Sequence, residues 1–171
     1  KWDATYRTAI LDRYIDLSRQ AIGAGAQLVL WPEASTPFYF DLDAVNAEPI
    51  RRLAAQSRTP FLIGTDQFES ARDGRGDRYF NAAVLVGPDG RTLASYRKMR
   101  LVPFGEYVPF QQVLFFVGPL VEAVSDFSAG DDPTVVAIAA NGAVADAPVP
   151  VFDRDDVTAL ASFVQRHMGL A

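Results

Sequence analysis

The spacing of apolar residues changes period several times along the chain. Over residues 5–23, Ile10, Leu11, Tyr14, Leu17 and Ile22 recur at helical spacing with Arg, Asp and Gln between them. This predicts an amphipathic helix, with Gly23 and Gly25 marking its C-terminal end. The run AQLVLW at 26–31 is continuously apolar, of strand length, and is stopped by Pro32. A second helix is expected at about 43–57, with Pro60 barring its continuation. PFLIGTDQF at 60–68 reads as a strand, and ESARDGRGDR at 69–78 as a charged, glycine-rich turn region. Two further strand-like runs, 79–86 and 91–97, flank Gly87-Pro88-Asp89-Gly90. Pro88 suits the second position of a tight turn and the glycines suit its strained φ values, so a β-hairpin is expected.

Helix, strand, helix, strand and hairpin in that order predict an α/β sandwich with helices packed on a buried sheet. A helical bundle or an all-β barrel fits poorly. Residues 98–130 read as mostly loop with a short helix, and TVVAIAANG at 134–142 as one more strand. The pattern then weakens through AVADAPVPVFDRDD. DDVTALASFVQRHMGL is expected to form a terminal helix with Asp at its start.

Composition narrows the function classes. The 171 residues suit one domain with its own core, and 49% apolar with 22% charged residues is a globular composition. A net charge of −5 argues against a nucleic-acid partner, which favours a basic face. There is no cysteine, which excludes disulfides, thiolate zinc sites and a cysteine nucleophile within this chain. The single histidine, His167, argues against a histidine-based metal site or a Ser-His-Asp triad and reads as a helix-end residue. No signal peptide is visible, and the opening KWDATYRTAI without Met reads as an excised piece. No apolar run reaches the roughly 18–20 residues of a spanning helix. The most apolar stretch, VLFFVGPLVEAV at 113–124, is interrupted by Gly118-Pro119.

Candidate chemistry gathers at strand ends and in rigid turns. Glu33 directly follows an apolar run in LVLWPEAS, where ligands of open α/β sheets collect. A buried rim there is expected to raise its carboxyl pKa, as suits a general base; the alternative is a cap or a surface ion pair. Lys98 follows the second hairpin strand and can orient a glutamate and stabilise an oxyanion. Its alternative is a solvated Arg-Lys-x-Arg patch. Glu106 lies in a Pro-Phe-Gly-Glu-Tyr turn whose proline and glycine fix where the carboxylate points; its alternative is an ordinary polar turn. The aromatic cluster TPFYF at 36–40 reads as core or dimer contact ahead of ligand wall. The apolar 113–121 stretch either buries in the core or meets a membrane surface or lipid chain.

The strings KWD, LVLWPEASTPFYF and YRKMRLVPFGEYVPF, followed by FSAGDDPTV, resemble the apolipoprotein N-acyltransferase family. That family completes bacterial lipoprotein maturation and belongs to the carbon–nitrogen hydrolase (nitrilase) superfamily. WPE alone is a superfamily-level match; WPE together with LVPFGEYVP points to the acyltransferase branch. The resemblance covers about residues 1–142 and implies a partial nitrilase-type α-β-β-α sandwich there, with 143–171 a divergent tail. It implies a Glu-Lys-Cys triad, with Glu33 as the base that deprotonates the thiol, Lys98 stabilising the oxyanion, and Glu106 as a supporting carboxylate. Trp2 and Tyr107 would face the substrate, and no cofactor is implied. A phospholipid would give its acyl chain as a thioester, and the α-amino group of an apolipoprotein's diacylglyceryl-cysteine would take it up, in ping-pong order. Residues 108–124 would lie on the membrane, and the implied location is the periplasmic face of the bacterial inner membrane.

The family's nucleophile lies in a Cys-Tyr-Glu motif where this chain reads DAPVPVFDRDD, with no Cys and no Ser. The chain is therefore expected to be inactive. A frameshift or truncation after about Asn141-Gly142, an incomplete gene model and a diverged non-catalytic relative each account for this. Two other functions stay open: a soluble nitrilase-type amidase, which usually lacks the apolar 108–124 segment, and a non-catalytic lipid- or lipopeptide-binding module. Half a sandwich would leave a sheet face and a strand edge bare, so poor solubility or a dimer is expected.

Overall fold

The computed structural model describes residues 4–70, 76–103, 105–107 and 127–131. Six elements follow in the expected order: α1 (Ala4–Gly23), β1 (Val29–Leu30), α2 (Ala44–Ser57), β2 (Phe61–Glu69), β3 (Arg78–Val86) and β4 (Thr92–Arg97). The strands form one sheet in the order β1-β2-β3-β4. β1 runs parallel to β2, with α2 as the crossover between them, and the other neighbours are antiparallel. The fold is thus mixed α/β. The strand expected at 134–142, the terminal helix, the tail beyond 142 and the apolar 108–124 segment lie outside the described residues.

α1 has the expected bounds, but a different face turns inward. Leu11, Ile15 and Ser18 are buried, with Tyr14 and Ile22 packed beside them, whereas Ile10 and Leu17 are exposed. Ser18 belongs to the inner face because it is satisfied there: its hydroxyl donates to the Tyr14 carbonyl at 2.7 Å and accepts from Trp31 Nε1 at 2.9 Å. The Tyr14 and Trp31 rings stack with centroids 4.8 Å apart. These contacts tie the end of β1 to the helix.

β1 is shorter than the expected 26–31. Its ladder covers Val29 and Leu30, and one more bond, Trp31 N–H to the Leu62 carbonyl at 2.9 Å, precedes Pro32, which has no N–H to continue. α2 begins at Asp43, whose Oδ1 accepts the Asn46 N–H at 3.1 Å. It stops before Pro60 can act, because Arg58 adopts a left-handed conformation (φ 53°) and returns its N–H to the Ala54 carbonyl. Removing the cap with Asp43→Ala is expected to cost about 1 kcal/mol in denaturant unfolding. The hairpin turn closes with the Gly90 N–H on the Gly87 carbonyl at 2.9 Å, and Gly90 takes the positive φ. The β3–β4 register shifts between Leu85 and Val86, just before the turn.

One face of the sheet carries the core. Phe61, Ile63, Val84 and Val86 pack against Ile15 of α1 and Ile50 of α2, and Phe38 and Phe40 complete it from the loop after β1. Two of the three aromatics in TPFYF are therefore core, as expected. On the other face Leu30, Leu62 and Leu85 lie in register across three strands. Leu30 is 64% and Leu62 37% exposed, so this face is partly bare.

Candidate active site

Register brings the charged residues together. β2, β3 and β4 align Asp66 with Asn81, and the Lys98 N–H bonds the Asn81 carbonyl at 2.8 Å, just past the end of β4. Asn81 and Lys98 therefore stand side by side at the end of the sheet where parallel β1 and β2 terminate. Glu33 arrives from the turn after β1. Ser35 pins that turn with both its N–H (2.9 Å) and its hydroxyl (2.8 Å) on the Gly64 carbonyl. Ala34, beside Glu33, is held in the left-handed region at φ 50°, a conformation that costs a non-glycine residue about 1–3 kcal/mol and recurs at functional sites. Glu106 comes from a turn in which its own N–H bonds the Val102 carbonyl at 2.9 Å.

Two acceptors and two donors form a closed ring. Lys98 Nζ donates to Glu33 Oε1 at 3.0 Å and to Glu106 Oε1 at 2.9 Å. Asn81 Nδ2 donates to the same two oxygens, to Glu106 Oε1 at 2.7 Å and to Glu33 Oε1. The Val102 N–H holds Glu106 Oε2 at 2.7 Å. Exposure separates the two carboxylates: the Glu33 side chain is 61% exposed and the Glu106 side chain 13%, with Lys98 between at 27%. Glu106 is anchored on both oxygens, and Glu33 is open to an arriving group.

Hydrogen bonds from Lys98 and then Asn81 hold the Glu33 carboxyl below its ordinary value, with burial opposing. This reverses the expectation of a raised pKa. Glu33 is too exposed for desolvation to win over two donors, one of them an ammonium. For Glu106 burial pushes upward most strongly, but Lys98, the Val102 N–H and Asn81 together outweigh it and the carboxyl is lowered. The Lys98 ammonium is raised, chiefly by its bond to Glu106 and also by Glu33, with burial opposing. At neutral pH both carboxylates and the ammonium are charged. The ring carries one net negative charge, with Glu33 ionised.

Glu33, Lys98 and Glu106 thus meet at one point, and the solvated-patch alternative for Lys98 is not what the structure shows. Tyr107 follows Glu106, half-buried, with a bridge to Pro103. Trp2 lies outside the described residues. Motif spacing gave no sign of Asn81, which is 7% exposed in a central strand. A lone amide in YFNAAVLV is the signal that could have found it, since a buried polar group needs partners. Tyr39 turns away from the core and with Phe68 and Arg97 lines a nearby cavity of about 170 Å³. The Arg97 guanidinium there bonds Gln67 at 3.0 Å and Glu69 at 2.6 Å.

No helix among the described residues is long and apolar enough to cross a membrane. The carbon–nitrogen hydrolase family profile matches residues 2–155. Among relatives, a protein of Geobacter metallireducens named apolipoprotein N-acyltransferase is 40% identical over 131 residues, covering 76% of this chain and 25% of the relative. Proteins of the same name from Methylococcus capsulatus (35% identical, 76% and 24% covered) and Brucella suis (32%, 81% and 27%) are also similar. The chain spans about a quarter of the length of these relatives. Among solved structures, a cysteine-to-serine mutant of the Nesterenkonia AN1 amidase, from the nitrilase superfamily, superposes with a TM-score of 0.50 at 21% identity, covering 77% of this chain and 46% of the amidase. A glutamate-to-glutamine mutant of that amidase, with the acetamide moiety of fluoroacetamide added at its active-site cysteine, gives 0.51 at 20%, covering 79% and 47%. These likenesses concern the fold. The match across residues 2–155 places the chain in the carbon–nitrogen hydrolase family.

Proposed function

We propose that Glu33, Lys98 and Glu106 are the acid–base part of an acyl-transfer centre that works on a thiol. The observation that carries this reading is Lys98 Nζ within hydrogen-bond distance of both carboxylates, in a chain whose relatives are named apolipoprotein N-acyltransferase. Glu33, ionised and exposed, takes the proton of the thiol. The thiolate attacks the ester carbonyl of a phospholipid, and the Lys98 ammonium faces the oxyanion of the tetrahedral intermediate. Collapse breaks the ester C–O bond, and the leaving glycerol oxygen recovers the proton from Glu33. Glu106 and Asn81 hold Lys98 in place. The amino group of an apolipoprotein's diacylglyceryl-cysteine then attacks the thioester; the amide forms as the C–S bond breaks, and the released thiolate takes up the amine's proton. The proposal extends to Trp2 and Tyr107 as substrate contacts, to 108–124 as a membrane-facing segment, and to the periplasmic face of the inner membrane as the location.

The 171 residues hold no cysteine, so on this reading the chain by itself turns over no donor. Adding a small alkanethiol to the chain with phospholipid vesicles is expected to yield lysophospholipid and the acylated thiol. Glu33→Gln is expected to remove about two orders of magnitude of that rate, the contribution of a positioned general base. No product above the rate of vesicles with thiol alone, or product unaffected by Glu33→Gln, would count against the proposal. The missing cysteine favours a second reading, a non-catalytic lipid- or lipopeptide-binding module. Vesicle co-sedimentation without product would support it.

A further inference from the structure

We propose that the segment Phe127 to Asp131 is a positioning strap for this site, and that Gly130 is the residue that lets it seat. The inference rests on the reading of Lys98 and Glu106 as a working pair. Three N–H groups within four residues bond three different arms of the site. Phe127 donates to the Glu106 carbonyl at 2.9 Å, Ser128 to the Tyr79 carbonyl at 2.7 Å, and Gly130 to the Lys98 carbonyl at 3.0 Å. Tyr79 stands two residues before Asn81 on β3 and forms a parallel bridge with Phe127. The strap therefore ties together the main chains that present Glu106, Asn81 and Lys98.

The contact at Gly130 leaves no room for a side chain. A Cβ there would fall 2.7 Å from the Arg97 Cβ and 2.8 Å from the Arg97 carbonyl carbon. Both belong to the residue just before Lys98, so one main chain would have to move. The Glu106 turn closes on itself through Val102. Its distance from Lys98 is then set by the shared strap as well as by the side chains. Arg78 reinforces the strap from β3, with Nη2 3.4 Å from the Ala129 carbonyl and 3.9 Å from Asp131 Oδ2. A shift of about 1 Å carries the 2.9 Å bond between Lys98 and Glu106 out of hydrogen-bond range.

The test is NMR titration of the Glu33 and Glu106 carboxyls and the Lys98 ammonium in the chain and in Gly130→Ala. In the unaltered chain Glu33 titrates below an ordinary glutamate. In Gly130→Ala both carboxyls move up toward ordinary values and Lys98 moves down. Asp43→Ala, which loosens α2 away from the site, leaves all three unchanged. A Gly130→Ala chain that loses stability with its titrations intact makes Gly130 merely structural and overturns the inference alone. An ordinary Glu33 midpoint in the unaltered chain sinks the site reading and the strap with it. If Gly130→Ala does not fold, amide hydrogen exchange on the unaltered chain decides. The inference requires the Phe127, Ser128 and Gly130 amides to be protected and to open together with that of Lys98, and fails if they exchange freely while Lys98 stays protected.

Discussion

Lys98→Met destabilises the chain by about 2 kcal/mol at neutral pH, and the loss fades on acidification. The magnitude lies between two limits. Removing one partner of a fully buried ion pair costs about 3–5 kcal/mol, and an exposed pair is worth about 0–1 kcal/mol. Lys98 at 27% and Glu106 at 13% side-chain exposure fall between, and Glu33 at 61% adds little. Methionine keeps the stem and removes the ammonium, so two carboxylates are left facing each other across the Asn81 amide. The sign of the pH effect follows from the direction of the shifts. Both carboxyls are lowered in the folded chain. Their contribution is full above the unfolded carboxyl value and disappears as pH falls through the folded values, below about pH 4. Lys98 is raised, and its contribution is lost only as pH rises past about 10.5. Between these limits the cluster's contribution is flat. Denaturant midpoints for both chains at pH 7 and at a series of values below about pH 4 check this. A penalty that does not shrink on acidification would show that the ammonium stabilises by packing alone.

Gly64→Ala is the second large effect, at about 2–3 kcal/mol, the upper range for overpacking. Gly64 lies in the middle of β2, directly under the turn that carries Glu33. A Cβ there would fall 2.6 Å from Glu33 Cα and also strike the Pro32 carbonyl. The atoms it meets are backbone, so no rotamer change relieves the contact. The turn is held down by two bonds from Ser35 to the Gly64 carbonyl itself, and lifting it breaks both. Thermal unfolding measures the loss. The thiol-dependent acyl transfer expected of the unaltered chain falls as well, because Glu33 is displaced from Lys98. A variant as stable as the parent would mean that this turn does not rest on β2 as described.

The course of the chain was legible where period and punctuation agree. The hairpin is specified by Gly-Pro-Asp-Gly between two apolar runs, whereas α2 lies where expected but ends on its own Arg58 cap and not on Pro60. The inward face of α1 was not legible. Ser18 reads as a surface residue until the Trp31 indole, thirteen positions away, supplies its partner. The site shows the same division. Glu33, Lys98 and Glu106 stand at recognisable strand ends and turns, so their candidacy could be read locally. Their ionisation could not, since the lowered Glu33 carboxyl depends on an ammonium from beyond β4 and then on an amide from β3. Asn81 and Gly64 make their contacts across strands, and no spacing along the chain encodes those.

Titrating the Glu33 carboxyl by NMR, in the unaltered chain and in Lys98→Met, tests the ring most directly. The structure predicts a midpoint below that of an ordinary glutamate, moving up when the ammonium is removed. A midpoint at or above the ordinary value that does not respond to Lys98→Met would mean that Glu33, Lys98 and Glu106 do not form one charged centre.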